Sequence, residues 1–332
     1  MSITSEEIAR LANVSRSTVS RVINHYPNVP DATREKVLKV IREYDYHPNE
    51  IARALAGKAS KEIGLFVREQ RYEGLMESSF IHRMVSMLVR TCYENRSALS
   101  VYLVRNDQDF EDIRDSYRRK KICGGIFVGF EYETEWINSL VGDGFNMALI
   151  DVEKEGIKEG PNLAFLNFDN ETAGYLATKY LIDQGRRHIL HIAGDGRYSS
   201  VQREEGYKRA MREAGLEEMI RIVRADFDPA KACELMEESL RREAYDGVFV
   251  TSDRMGVHVV HMIRKQGLMV PGDIAVTGCD HIDESFSVQE VSMTSVELPL
   301  KDVVEKAVKM LLGLEEKTDL TVPVKIVIGE TA

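Results

Sequence analysis

The sequence predicts an α/β protein in which a three-helix unit precedes two open α/β subdomains. Three observations predict it. The first 45 residues hold three short apolar patterns at helical spacing. From Ile63 onward, short apolar runs alternate with amphipathic helical stretches over some 270 residues, the pattern of parallel strands joined by crossover helices. The chain has 332 residues, 43 % of them hydrophobic and 30 % charged, enough material for two or three domains with sizeable cores.

The first helix spans 5–11. Thr4, with Glu7 three residues on, has capping-box spacing, and Ile8, Leu11 and Ala12 recur on one face. Asn13-Val14 breaks the pattern, because asparagine tolerates the left-handed conformation of a tight turn. Ser15 then caps a helix over 16–24 with Val19, Val22 and Ile23 inward. Pro27 and Pro30 keep the next segment a loop, since neither continues helical hydrogen bonding. A third helix covers 31–44, with Val37, Val40, Ile41 and Tyr44 at helical spacing. Strands are expected at 63–67, 99–104, 125–130, 147–151, 189–193, 247–251 and 274–278, with helices such as 171–184, 203–214, 229–243 and 254–266 between them. In such folds ligands sit at the carboxyl ends of the strands, here in a cleft between subdomains.

Charge and cysteine usage narrow the function. The net charge is −10, yet residues 1–60 hold nine basic and seven acidic side chains, leaving the remainder at −12. A small cationic end on an acidic body implies that only the N-terminus meets a polyanion. Cys92, Cys123, Cys233 and Cys279 are scattered without a CxxC pair, which excludes structural zinc and a disulfide framework and fits a reducing cytosol. No run approaches the ~20 apolar residues of a membrane span, and the opening residues lack the layout of an export signal.

Helix, turn, helix is the layout of a DNA reader whose second helix enters the major groove. Arg16, Ser17, Ser20 and Arg21 place donors and acceptors near the start of that helix, and arginine can grip guanine with two hydrogen bonds. Thr18, Thr33 and Arg34 suit phosphate oxygens. The same periodicity also fits a small helical bundle with a solvated basic face.

The enzyme reading finds little. Gly194-Asp195-Gly196 is half a phosphate loop without the following Lys-Ser/Thr, and no GxSxG or HExxH occurs. His258 and His261 stand at i, i+3 without a third ligand, so no metal is expected.

The chain resembles the lactose-repressor (LacI/GalR) family of bacterial transcription regulators over nearly its whole length. STVSRVIN at 17–24, TREKV at 33–37, YHPN at 46–49 and ARALAGK at 52–58 carry the resemblance first. Downstream come Asp169-Asn170, Ala173-Gly174, GRRHI at 185–189, Arg203, Gly206-Tyr207, Ser252-Asp253, VPGDIAV at 270–276 and Asp280. Asn13 stands where the family usually has glycine, as does Asp45.

The resemblance implies a helix-turn-helix headpiece (1–46), a hinge helix and linker (47–60), and a periplasmic-binding-protein-like core. One subdomain would be 61–162 plus 291–321, the other 163–290 plus 322–332. It implies that Arg16 and Ser17 read bases with Arg21 alongside, and that Asn24, Thr33 and Arg34 anchor the backbone near Asn28. Thr4, Ser15, Thr18 and Ser20 complete the DNA-facing set. A hinge helix capped by Asn49 would form only on operator DNA, with Leu55 inserted into the minor groove beside Ala52. Seven residues are too few to hold a helix alone, and an apolar wedge bends the duplex.

The effector positions map onto Asp151, Arg203, Phe227, Ser252 and Asp280, with Phe80 near the cleft mouth. Arginine and aspartate suit paired hydroxyls, and phenylalanine an apolar sugar face. Asp280 could equally cap a helix, Arg203 form an ion pair and Phe227 belong to the core. The expected protein is a cytoplasmic homodimeric repressor of carbohydrate genes, without a cofactor, that binds a palindromic operator and a sugar-like effector. A purine, another metabolite or a protein corepressor is the alternative within the family. A cleft enzyme or a non-exported solute-binding protein is the alternative outside it. The chain end shows no leucine-heptad tail, so a dimer is expected rather than a tail-mediated tetramer.

Overall fold

Among the described residues, three helices build the N-terminal unit: α1 (Ser5–Leu11), α2 (Arg16–Ile23) and α3 (Asp31–Glu43). A computed structural model of the chain describes residues 4–23, 26, 28–44, 61–68, 79–130, 132–281 and 291–332. It divides into two compact units, residues 1–60 and 61–332. The capping box forms as expected: the Thr4 amide donates to Glu7 Oε2 at 2.7 Å, and the Glu7 amide to Thr4 Oγ1 at 3.2 Å. Asn13 takes φ 51°, the left-handed turn that asparagine allows. Ile8, Val19, Val22 and Val37 form a small core. Leu11 and Tyr44, expected inward, are 43 % and 47 % exposed, because each stands at a helix C-terminus where this small core gives out.

The second unit begins with β1 (Glu62–Arg68), α4 (Ser79–Glu94), β2 (Ala98–Val104), α5 (Asp107–Arg118), β3 (Gly124–Val128), α6 (Thr134–Gly142), β4 (Met147–Ile150) and β5 (Leu163–Phe168). It continues with α7 (Asn170–Asp183), β6 (Ile189–Ala193), α8 (Tyr198–Glu213), β7 (Arg221–Arg224), α9 (Pro229–Arg242), β8 (Gly247–Val250), α10 (Asp253–Lys265), β9 (Ala275–Asp280) and β10 (Thr294–Glu297). The last elements are α11 (Leu300–Leu311), β11 (Leu320–Val322) and β12 (Lys325–Val327).

Among the described residues the strands form two six-stranded sheets, ordered β2-β1-β3-β4-β5-β11 and β7-β6-β8-β9-β10-β12. Every neighbouring pair is parallel except β10 with β12. The order reverses between β1 and β3 and between β6 and β8, the switch points at which such sheets open a crevice.

The chain passes between the sheets after β5, after β10 and after β11. These crossings differ from the expected subdomain boundaries. Residues 163–168 pair with β4, Leu163 beside Met147, and so complete the first sheet. Residues 294–297 pair with β9, Thr294 beside Thr277, and so complete the second. Apolar periodicity marks a segment as a strand; which sheet it extends depends on ladder partners far away in the chain. The helix expected at 203–214 begins at Tyr198, because its polar first turn carries no apolar signal.

Helices α7 and α8 cross unusually closely. A Cβ on Gly174 would lie 1.9 Å from the Arg203 carbonyl oxygen, and one on Gly206 2.0 Å from that of Glu171. Two glycines thus seat α8 directly on α7, which sets where Arg203 can reach.

Candidate functional site

The carboxyl ends of the two sheets supply a buried polar chain. Arg203, 3 % exposed on α8, donates through Nε to Asn170 Oδ1 at 3.0 Å and through Nη1 to the Thr251 carbonyl at 2.7 Å. The same Nη1 lies 3.4 Å from Asp280 Oδ1 at the end of β9. Asn170 turns its amide nitrogen to Asp151 Oδ1 at 2.6 Å, just beyond β4 of the first sheet. One guanidinium therefore stands between two carboxylates, one from each lobe, with Asn170 as the neutral link.

Burial pushes the Asp280 carboxyl up to about 6, against the opposing pull of Arg203 and Arg83. Burial also raises Asp151, with Arg203 and then Asn170 opposing it. Both aspartates have left-handed backbones, φ 60° at Asp151 and 109° at Asp280. Strain of this kind persists only where the surroundings over-determine it, and it is concentrated at functional sites.

The other expected cleft residues are used differently. Ser252 is buried and caps α10, its hydroxyl accepting from the Met255 amide. Phe80 is half-buried and packs edge-on against Phe168, ring centres 6.0 Å apart. Phe227 has the Arg197 guanidinium 4.3 Å above its ring centre, and Arg197 grips Asp195 with contacts of 2.9 and 2.8 Å. One face of the ring is thus stacked with an arginine from the strand-to-helix turn at 194–197.

Three participants were not singled out from the sequence. Asn170 was visible only as half of an Asp-Asn pair opening a helix. Arg83 of α4 donates to the carbonyls of Asp280 and His281 at 3.2 and 2.8 Å, tying one lobe to the other. Tyr132 makes a second tie, its hydroxyl donating to the Gly196 carbonyl at 2.9 Å. Neither has a sequence signal, since both act across the fold on main-chain oxygens.

In the N-terminal unit, α2 carries an exposed polar face. Ser15 caps it, accepting from the Thr18 amide at 3.1 Å, with the Ser17 and Thr18 hydroxyls within 2.8 Å of its own. Ser17, Ser20 and Arg21 are exposed, as is Arg16, which lies 3.4 Å from Glu6. Thr4 is engaged in its cap. Arg34 closes the α2–α3 loop by donating to the Tyr26 carbonyl at 2.7 Å; Thr33 is half-buried and Asn28 exposed. Asn24, Asn49, Ala52 and Leu55 lie outside the described residues.

Two histidines belong to the framework of the second unit. His191 is buried between Tyr207 and Phe249 and pushed down to about 4 by burial, so it is a neutral core residue. His258 is exposed, with Nδ1 2.8 Å from its own helix's Arg254 carbonyl. Among the described residues no cluster of three metal-ligating side chains occurs, and no helix is long and apolar enough to cross a membrane.

A helix-turn-helix unit followed in the chain by a two-sheet body whose strand ends share buried charges is the architecture of a ligand-responsive DNA-binding protein. Residues 4–49 match the family model described as bacterial regulatory proteins, lacI family, and residues 178–331 that of a periplasmic binding protein-like domain. The transcriptional regulator MalR of Clostridium butyricum is 30 % identical over 93 % of this chain and 92 % of its own. The transcriptional repressor PurR of Vibrio atlanticus (strain LGP32) is 31 % identical over 93 % and 91 %. Among solved structures, the lac repressor dimer bound to operator and the anti-inducer ONPF superposes with a TM-score of 0.85 at 22 % identity, covering 100 % of this chain and 99 % of that one. The complex of the regulator CelR with cellobiose gives 0.69 at 27 % identity, covering 99 % and 100 %. The chain belongs to the lacI family: it is a DNA-binding transcriptional regulator and not an enzyme.

Proposed function

We propose that the chain is a cytoplasmic repressor of carbohydrate genes that binds a palindromic operator as a homodimer and changes its operator affinity when a sugar or sugar derivative enters the cleft. The observation that carries this reading is the Asp151–Asn170–Arg203–Asp280 chain, drawn from both lobes and almost wholly buried. Paired hydroxyls can accept from the guanidinium and donate to either carboxylate, replacing contacts that otherwise cost desolvation. A ligand that bridges both lobes acts only through its differential affinity for their two arrangements, typically about 1–3 kcal/mol of coupling. Exposed Val89, Tyr93, Val101 and Leu103 on α4 and β2 supply an apolar face for a second copy. Arg16, Ser17, Ser20 and Arg21 face base edges, and Thr18, Thr33 and Arg34 meet the backbone. Asn49, Ala52 and Leu55 form the operator-dependent hinge.

A purine is the second reading, favoured by the Arg197–Phe227 stack beside the charged chain, which a planar base could join.

Thermal-shift measurements on the full chain against sugars, sugar phosphates and nucleobases test both readings. A ligand at 100 times its Kd adds about 2.7 kcal/mol. The expected result is a response to a sugar that Asp280→Asn and Arg203→Ala abolish. A response to a nucleobase selects the second reading. Silence across the panel from a chain that still binds DNA overturns both and points to a protein corepressor.

A further inference from the structure

Among the described residues of the body is a concentrated cationic surface that the effector mechanism does not use. Residues 114–121 read RDSYRRKK, five cations and one acid, at the C-terminal end of α5, in a body whose overall charge is −12. Arg118 and Arg119 are 56 % and 67 % exposed, and Lys120 and Lys121 are exposed as well.

Three of the acids nearby meet arginines, and exposed Asp112 accepts from Gln108. Asp143 meets Arg114 and Arg118, Glu111 meets Arg114, and Asp115 meets Arg119. Exposed Lys61 and Arg96 extend the cationic face, while Glu62 is half-buried and accepts from the Ser100 hydroxyl.

The fold brings these residues to one edge. The Ala98 amide donates to the Lys61 carbonyl at 3.1 Å and the Cys123 amide to the Glu62 carbonyl at 2.8 Å, so 96–98, 61–62 and 121–123 lie side by side. This is the amino-terminal edge of the first sheet, opposite the carboxyl ends that form the cleft. The chain also enters the body at this edge, at Lys61, from the DNA-binding unit.

We propose that this edge is a second DNA contact surface, reading phosphates without sequence preference while the helix-turn-helix reads bases. The inference rests on the chain's DNA binding and adds a contact made by the body itself. The chemistry is that of Lys and Arg displacing counterions condensed on the duplex, which contributes about 0.9 to the salt slope for each phosphate neutralised. A face of this sign on an otherwise acidic body also orients the duplex, because the rest of the surface repels it.

The test uses the full chain and a 40-base-pair duplex of random sequence, with affinity followed by fluorescence anisotropy between 50 and 200 mM salt. Three proteins are compared: wild type, Arg118→Gln/Arg119→Gln/Lys120→Gln, and a control losing three cations from the other lobe, Arg241→Gln/Arg242→Gln/Lys265→Gln. The patch variant is expected to lose about 2–3 from the magnitude of the log–log salt slope and at least about tenfold in affinity at 50 mM salt, with the control near wild type. Matching melting temperatures establish that all three fold, and Lys120→Glu alone serves if the triple variant does not. An unchanged slope in the patch variant, or an equal fall in patch variant and control, overturns the proposal. A wild-type chain without measurable DNA binding would remove the DNA-binding reading itself, and this inference with it.

Discussion

The two lobes share one strand order, yet each buries an arginine to a different end. Arg68, at the carboxyl end of β1, meets Glu133 at 2.8 Å, the Val104 carbonyl at 2.9 Å and the face of Trp136 at 4.9 Å, all within its own lobe. Arg203 meets Asn170, Thr251 and Asp280 in its own lobe and, through Asn170, Asp151 in the other. A buried charge costs several kcal/mol unless it is paired. Arg68 pairs with Glu133 inside its own lobe and so staples β1 to the turn that precedes α6. Arg203 faces two carboxylates from two lobes, so its electrostatic balance depends on how the lobes stand to each other. That dependence is what a ligand can exploit.

The largest effects break this comparison directly. Arg68→Ala and Arg203→Ala each leave a buried carboxylate unpaired and are expected to cost about 3–5 kcal/mol in urea unfolding. Only Arg203→Ala should also abolish the ligand response; a response surviving in that variant would erase the distinction between the two arginines. Gly206→Ala follows, since its Cβ would meet the Glu171 carbonyl oxygen at 2.0 Å and force α7 and α8 apart. A loss of about 3 kcal/mol is expected, with weakened ligand response because Arg203 rides on the same crossing. Wild-type stability in that variant would show that the close approach has slack.

The pH dependence should be smaller in net effect, because two groups oppose each other. Asp280 titrates at about 6 when folded and near 3.8 when unfolded. The native chain therefore holds the extra proton between those values, and this contribution to stability declines as pH rises from 4 to 6. His191 titrates at about 4 when folded and near 6.5 when unfolded, so its contribution declines as pH falls from 6.5 toward 4. Relative to wild type, Asp280→Asn should lose more stability on acidification and His191→Gln less, measured as urea midpoints at pH 4.5, 5.5 and 6.5. Parallel profiles for all three proteins would contradict both assignments. The smallest effect is Thr4→Ala, which removes the α1 cap: about 1 kcal/mol, read as earlier melting of the N-terminal unit with the body unchanged.

Much of the architecture was legible in the sequence, for identifiable reasons. The Thr4–Glu7 spacing and the Asn13 break act within a few residues, so local chemistry decides them and both appear as read. The alternation of strands and helices likewise reports local periodicity. The cleft residues Asp151, Arg203 and Asp280 were found through the family resemblance, and the structure brings all three to one place. Legibility failed where a residue's role lies in a distant partner. Phe227 stacks with Arg197 and Ser252 caps α10, contacts that the effector mapping by itself does not announce. Arg83 and Tyr132 act on backbone carbonyls of the opposite lobe, and nothing in their neighbourhood in the chain announces that.

The element types, the helix caps, the uneven charge and the family follow from the amino-acid order, because each is written in residues close together or in motifs at set offsets. Only the tertiary structure decided which sheet residues 163–168 and 294–297 complete, that Gly174 and Gly206 let two helices touch, and that one guanidinium is shared between carboxylates of two lobes. The physical reason is common to all three. Strand pairing, close packing and the electrostatics of burial depend on which distant groups the fold brings within a few ångströms, and spacing along the chain carries no record of that.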